Sequence, residues 1–109
     1  GARQLFISGT AAIRGHATVA AEDLNAQLAC TVENLEIIAQ TAGVGPRCGA
    51  EHGWQRSFKV YLRNRAEFAA ARHFLDRHLL QPGDRAIYLL ADLCRSDLRV
   101  EIEAVLTRG

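Results

Sequence analysis

Two helical segments with one apolar side each constrain the fold of this chain most. Apolar residues recur at three- and four-residue spacing over residues 24–42 and again over residues 65–80. This spacing places the apolar side chains on one side of each helix, and that side must pack against another layer. Glu22 and Asp23 suit the start of the first helix, and Gly43 suits its end.

Strand-like alternation of apolar and polar residues occurs before, between and after the two helices. We predict strands over residues 5–10, 11–20, 57–63, 85–93 and 99–106, with a turn near Gly15 and His16. The order β-β-α-β-α-β-β predicts an α+β fold with one mixed sheet, hairpins at both ends, and both helices on one face. The chain offers no element to cover the other face, so we expect copies of the chain to associate through it.

Composition and charge limit the function classes. The 109 residues are 49% hydrophobic, which predicts a single globular domain over residues 1–109. The 13 basic and 12 acidic residues give no basic surface that would indicate a nucleic-acid partner. Without a long apolar run or a signal-peptide pattern, we expect a cytoplasmic protein that does not enter a membrane.

The cysteines and histidines do not follow a metal-binding pattern. Cys30, Cys48 and Cys94 are odd in number and widely spaced, which argues against a disulfide framework. Three or four converging ligands are needed for a zinc site, but the four histidines and three cysteines show no paired spacing of that kind. We therefore predict neither a metal nor another cofactor.

The last strand-like segment places two carboxylates on one side. Alternation over Val100–Glu103 points Glu101 and Glu103 the same way. On composition this arrangement favours a solvent-exposed edge, and the functional alternative is a carboxylate that acts as general acid or base in a cleft between subunits. Just before this segment, Cys94 and Arg95 lie in a predicted turn, from which a thiol and a guanidinium can face the same cleft.

An ordered set of short stretches resembles the RidA/YjgF superfamily. The matching residues are LFISGT at 5–10, Gln27 and Asn34 in the first helix, Ala42-Gly43 at its end, Lys59-Val60, and VEIEA at 100–104. The resemblance implies a chorismate-mutase-like fold, a homotrimer, and active sites in the clefts between subunits.

A narrower resemblance is to the C-terminal half of the chorismatases, which cleave the enol ether of chorismate and release pyruvate. The stretches GTAAIRGH at 9–16, KVYLR at 59–63 and LADLCRSDLRVEIE at 90–103 support it.

This narrower resemblance implies roles for six residues. Glu101 would protonate the substrate, and Cys94 would decide between a hydroxybenzoate and a dihydroxy-cyclohexadiene carboxylate as product. Arg63 and Arg95 would bind the carboxylates of the substrate. Gly9 and Thr10 would also contact the substrate, as part of the matching stretch at 9–16.

Differences from these families leave two alternatives open. Chorismatases are much longer, and this chain has no Met, so we expect that it begins inside a longer protein. One alternative is a RidA-type deaminase of 2-imino acids and enamines, in which an arginine near the end of the penultimate strand holds the substrate carboxylate. Arg95 lies one or two positions beyond that place. The other alternative is a trimeric ligand-binding module without catalysis.

Overall fold

The computed structural model of the chain describes residues 3–15, 17–20, 23–50, 52–93 and 95–109. Predictions that fall on His16, Glu22 and Cys94 therefore lie outside the described residues. Within the described ranges, no helix is long and apolar enough to cross a membrane.

The described residues form six strands and two α-helices. The strands are β1 (Arg3–Ala11), β2 (Ile13–Arg14), β3 (Ala17–Thr18), β4 (Gln55–Leu62), β5 (Arg85–Leu90) and β6 (Val100–Arg108). The helices are α1 (Leu24–Thr41) and α2 (Phe68–His78), with short 3-10 helices at Pro46–Gly49 and Arg65–Glu67. The predicted α+β class is confirmed, with a mixed sheet and two helices.

Local signals explain where α1 begins and ends. The Asp23 side chain accepts a hydrogen bond from the Ala26 N–H at 3.1 Å, and this satisfies a donor that the helix itself leaves unpaired. Gly43 follows the helix with a φ of +80°, in the left-handed region that favours glycine. The prediction for α1 is confirmed to within one residue, whereas α2 is shorter than predicted because Arg65–Glu67 form a 3-10 turn.

The main sheet has the strand order β1-β6-β4-β5. Strands β4 and β5 are parallel and are connected through α2, and β6 is antiparallel to both of its neighbours. The predicted hairpin at the C-terminal end is wrong, because β5 does not pair with β6. Strand β6 instead fills the place between β1 and β4.

The predicted second strand over residues 11–20 also differs from the structure. Ala11 belongs to β1, and only Ile13–Arg14 and Ala17–Thr18 form strands β2 and β3, which pair with each other in a separate small sheet. Gly15, at a φ of +61°, permits the sharp turn between them. Asn34 binds the carbonyl oxygens of Ala11 and Ile13, and these bonds hold this small hairpin beside α1.

The core lies between the main sheet and the helices. On β6 the buried side chains are Val100, Ile102, Ala104 and Leu106, and they pack with buried residues of α1, α2 and β4. The opposite side of the sheet, called the open face below, is not covered by either helix. Its side chains include Phe6, Lys59, Tyr61, Ile87, Leu89, Glu101, Glu103 and Val105. Phe6 and Ile87 are 59% and 54% exposed.

A buried ion pair stabilises one end of the sheet. The Arg56 guanidinium on β4 bonds to the Asp84 carboxylate and to the carbonyl oxygens of Arg47 and Leu79. Both charged side chains are almost fully buried. Asp84 also accepts a hydrogen bond from the Gln81 N–H, so the pair joins the turn before β5 to β4.

We expect Arg56→Met to lower the free energy of unfolding by about 3–5 kcal/mol, because it leaves the Asp84 carboxylate buried without its partner. The control is Arg14→Met, which breaks the exposed pair between Arg14 and Glu33 and should cost less than about 1 kcal/mol. Urea denaturation measures both. Equal losses of unfolding free energy in the two variants would contradict the stabilising role of the buried pair between Arg56 and Asp84.

Cys48 makes the fold sensitive to alkali. Burial raises the pKa of its thiol from 9.0 to about 11, against the attraction of the Arg56 guanidinium. Between these two values the unfolded chain loses the thiol proton while the folded chain keeps it, so stability falls as pH rises. We expect a loss of about 2 kcal/mol from pH 9 to pH 11.

Urea denaturation across this pH range tests the prediction, with Cys48→Ala as the matched variant. The variant should lose clearly less stability than the unmodified protein between pH 9 and pH 11. Parallel pH profiles would rule out Cys48 as the source.

Candidate functional site

Glu101 lies on the open face near the start of β6, between two neighbouring strands. Its register partners are Ala11 on β1 and Tyr61 on β4. Because directly opposed residues in antiparallel strands point to the same face, these three side chains are neighbours. Glu101 is half-buried, and the ladders on both sides fix its backbone.

A β-bulge in β1 brings Gly9 against the Glu101 carboxyl group. Ile7 pairs with Ala104 and Thr10 pairs with Ile102, so β1 has one residue more than β6 in this interval. A Cβ atom built on Gly9 would clash with Glu101 Oε1 and lie 2.6 Å from its Cδ. The absence of a side chain at position 9 therefore gives the carboxyl group its space.

Thr10 stabilises this bulge. Its hydroxyl donates to the Ser8 carbonyl oxygen at 2.9 Å, and the residue is buried. It opposes Ile102, whose side chain packs in the core on the helix side. Of the two residues predicted to contact substrate in this stretch, the structure brings Gly9 next to Glu101 and directs Thr10 into the body of the fold.

A small apolar cluster borders Glu101. Ala11, Leu93 and Leu98 are buried together, and Ile13 and Tyr61 pack against them. Leu93 and Leu98 belong to the turn that connects β5 to β6, so this turn lies against both register partners of Glu101. The carboxyl group consequently has an apolar border on the side of the turn.

Glu103, the second carboxylate of β6, has polar neighbours. Its register partner on β4 is Lys59, and its carboxylate interacts with the Tyr61 hydroxyl. Desolvation, the Glu103 carboxylate and the charge of Glu101 together raise the pKa of Tyr61 above its ordinary value of 10.0. Tyr61 thus remains a protonated hydrogen-bond donor between the two glutamates at neutral pH.

Two side chains hold the backbone of the turn at 93–99. Arg63 donates to the carbonyl oxygens of Leu93, Arg95 and Leu98 at 3.1, 2.6 and 3.1 Å. From the side of α1, the fully buried Gln27 donates to the Asp97 carbonyl oxygen and accepts from the Arg99 N–H. Gln27 and Asn34, seven residues apart on α1, therefore position the two segments that flank Glu101.

Arg95 lies in this turn and points towards the small hairpin. Its Nη1 donates to the Thr18 hydroxyl at 3.3 Å, and that hydroxyl donates to an Asp97 carboxylate oxygen at 3.0 Å. The side chain is half-buried. A guanidinium at this position is part of the turn that borders the Glu101 carboxyl group.

A cleft of about 580 Å³ opens on the other side of the turn. It is lined by Arg63, Asn64, Arg65, Glu67, Leu90, Ser96, Asp97, Leu98 and Arg99. Glu67 pairs with Arg99 at 3.2 Å, and Asp97 is bonded to Thr18. The lining thus carries two carboxylates beside its three arginines, and Glu101 is not part of it.

Gly9, Glu101 and the turn with Arg95 thus meet at one end of the open face, and Arg63 supports that turn from behind. The role of Cys94 stays a prediction, since residue 94 is outside the described residues. Sequence reasoning missed Tyr61 and the bonding of Gln27 to the turn. The alternation in KVYLR placed Tyr61 on a strand, but only the register makes it a neighbour of Glu101. Among the described residues, no three His, Cys, Asp or Glu side chains gather as a metal ion would require.

No protein-family model matches the chain. The chain is 38% identical over 105 residues to the 3-hydroxybenzoate synthase of Streptomyces hygroscopicus, covering 94% of this chain and 31% of that protein. It is 34% identical over 110 residues to the chorismatase of Streptomyces rapamycinicus, again with 94% and 31% covered. The chain therefore spans about a third of the length of the curated relatives that it matches.

Solved structures show a similarity to the same class of proteins and to a second family. A chorismatase crystal structure matches with a TM-score of 0.78 and 30% identity, covering 94% of this chain and 32% of that one. The YjgF gene product of E. coli matches with a TM-score of 0.69 and 20% identity, and RidA from Psychrobacter with 0.73 and 22%. The match to the E. coli protein covers 97% of this chain and 81% of that one, and the match to the Psychrobacter protein covers 94% and 79%. At identities this low, the two matches show the fold alone. The chain thus has the RidA/YjgF fold and is a homologue of a segment that makes up about a third of the chorismatase chain.

Proposed function

We propose that this domain cleaves the enol-pyruvyl ether of chorismate and releases pyruvate, as part of a longer chorismatase-type enzyme. One observation carries the proposal: the Glu101 carboxyl group lies against the bare backbone of Gly9, at the border of an apolar cluster. The homology to a 3-hydroxybenzoate synthase and to chorismatases supports the choice of substrate.

The chemistry requires one proton donor at the vinyl group. Protonation of the methylene carbon of the enol ether by Glu101 produces an oxocarbenium ion and leaves Glu101 as a carboxylate. In one route a water adds to the oxocarbenium carbon, and the bond between that carbon and the ether oxygen then breaks. In the other route the bond between the ring carbon and the ether oxygen breaks, and the ring loses one proton. Either route releases the proton that restores Glu101. With addition of one water the products are pyruvate and a dihydroxy-cyclohexadiene carboxylate. Without net addition of water they are pyruvate and a hydroxybenzoate. Positioned acids of this kind contribute about 10²–10⁴-fold to a rate.

Glu101 suits this role better than Glu103. Its described neighbours are Gly9, Ala11 and Tyr61, beside an apolar cluster, whereas Glu103 is opposite Lys59 and interacts with the Tyr61 hydroxyl. We further propose a homotrimer in the cytoplasm, in which neighbouring copies cover the open face and complete the cleft over Glu101.

Chorismate has two carboxylates, which need cationic partners. Arg95 lies in the turn beside Glu101 and is our candidate for one of them. Cys94, its neighbour in the sequence, is our candidate for the group that selects between the two products. Neither proposed role requires a metal ion or another cofactor.

We expect Glu101→Gln to reduce pyruvate release by at least about 10²-fold, because the amide is isosteric but cannot donate the proton. The matched control is Glu103→Gln on the same strand and face, which should stay within about threefold of the unmodified enzyme. Pyruvate formed from chorismate by the full-length protein is measured by reduction with lactate dehydrogenase and NADH.

Two outcomes would contradict the proposal. If the unmodified protein releases no pyruvate from chorismate, the domain is not a chorismatase. Faster ammonia release from freshly formed 2-imino acids would then favour the deaminase alternative, and a trimer that accelerates neither reaction would favour the non-catalytic module. If Glu103→Gln is as inactive as Glu101→Gln, the general acid is not Glu101 alone.

We expect Gly9→Ala to leave the fold intact and to lower the turnover rate by about 10²-fold. The new methyl group meets the flexible end of the Glu101 side chain, which can turn away, so the cost in stability is small. The displaced carboxyl group, however, no longer reaches the substrate. Thermal unfolding and pyruvate release, measured on the same sample, separate the two effects. A variant with full activity would show that the contact between position 9 and Glu101 is unimportant.

A further inference from the structure

One side chain holds the backbone on both sides of position 94. Arg63 lies just after β4, and its Nη2 donates to the carbonyl oxygens of Leu93 and Arg95, the two chain neighbours of residue 94. Its Nε donates to the Leu98 carbonyl oxygen in the same turn. Three hydrogen bonds from one rigid planar group therefore fix the turn at 93–99 at Leu93, Arg95 and Leu98.

These bonds leave Arg63 poorly suited to bind a substrate carboxylate. Two-point binding of a carboxylate uses N–H groups on two guanidinium nitrogens, and any such pair includes Nε or Nη2. Both nitrogens already donate to backbone carbonyl oxygens. The remaining nitrogen, Nη1, lies 3.8 Å from a carboxylate oxygen of the fully exposed Asp92. A carboxylate could take Nε or Nη2 only by displacing a carbonyl oxygen of the turn.

The turn is held separately from the strand that carries Glu101. Glu101 is fixed by its register with Ala11 and Tyr61, whereas the turn depends on the side chains of Arg63 and Gln27. Loss of the Arg63 guanidinium would therefore loosen the turn around Leu93 and Arg95, while Gln27 still holds Asp97 and Arg99 and the general acid stays in place. Substitutions can therefore disturb the turn without disturbing Glu101.

We infer that Arg63 is a positioning residue: it sets the backbone around residue 94 and thereby controls which product forms, and it does not bind the substrate itself. This inference rests on the proposed function for its catalytic readout. Proton transfer from Glu101 releases pyruvate along either route. Cys94, the proposed selector of the route, is the chain neighbour of Leu93 and Arg95, so a change in the backbone at these two residues changes the ratio of products.

The experiment compares Arg63→Gln with Arg65→Gln in the full-length protein, using chorismate as substrate. Arg65 lines the same cleft and serves as the matched control. For Arg63→Gln we expect kcat for pyruvate release and KM for chorismate to stay within about fivefold, while the ratio of hydroxybenzoate to dihydroxy product shifts by about tenfold or more. Arg63→Lys should restore part of the ratio, and Arg65→Gln should leave it unchanged.

The opposite pattern would overturn the inference. A KM that rises by about tenfold or more in Arg63→Gln, with an unchanged product ratio, is the signature of a residue that binds the substrate carboxylate directly. An unchanged KM together with an unchanged ratio would also overturn it, because the turn would then not depend on Arg63. If Arg63→Gln fails to unfold cooperatively, the same comparison is made with Arg63→Lys, which retains the charge.

Amide hydrogen exchange tests whether Arg63 positions the turn, and it does not depend on catalysis. The N–H groups of Leu98 and Arg99 are bonded to Arg95 O and to Gln27 Oε1. We expect the Leu98 N–H to exchange about tenfold faster or more in Arg63→Gln, while the Arg99 N–H and the amides in β6 keep their protection. Unchanged exchange at Leu98 would refute the positioning role. A protein that shows the exchange effect but releases no pyruvate would disprove the proposed function and leave the structural role of Arg63 intact.

Discussion

The central place of β6 determines the rest of this structure. Strand β6 forms antiparallel ladders with β1 on one side and β4 on the other, while β5 occupies the edge beyond β4. The chain leaves the sheet at the end of β5 and must pass the end of β4 before it can enter β6. The crossing includes the turn at 93–99, which therefore lies at the end of the sheet that carries Glu101.

A turn in this position cannot satisfy its own backbone groups through the sheet. Buried carbonyl and N–H groups must find partners elsewhere, since leaving one unpaired costs about 1–3 kcal/mol. Arg63 and Gln27 supply them, from the end of β4 and from α1. On the other side, Leu93 and Leu98 pack against Ala11 and Tyr61. The contacts that let the chain cross the sheet are thus the same contacts that form the border of the site.

The difference between local periodicity and long-range contacts explains what could be predicted from the sequence. The existence of α1 and of the apolar side of β6 follows from local periodicity, and both were predicted within a residue or two. The places of β5 and β6 could not be predicted in this way, because pairing joins distant segments and consecutive strands are usually neighbours. The bulge at Gly9 is a shift of one residue, which alternation cannot reveal. Arg63 suggests a carboxylate ligand by its residue type, and only the carbonyl oxygens around it indicate another role.

The two glutamates of β6 illustrate how neighbours alone can distinguish chemically identical groups. Glu101 and Glu103 lie on one strand and one face, and both are half-buried. Glu103 is opposite a lysine, and its carboxylate interacts with the Tyr61 hydroxyl. Across the residues that the structure describes, no hydrogen bond reaches the Glu101 carboxyl group, which contacts a glycine and borders an apolar cluster. Among the described residues, Glu101 therefore has the less polar surroundings of the two glutamates, although both side chains lie on the open face.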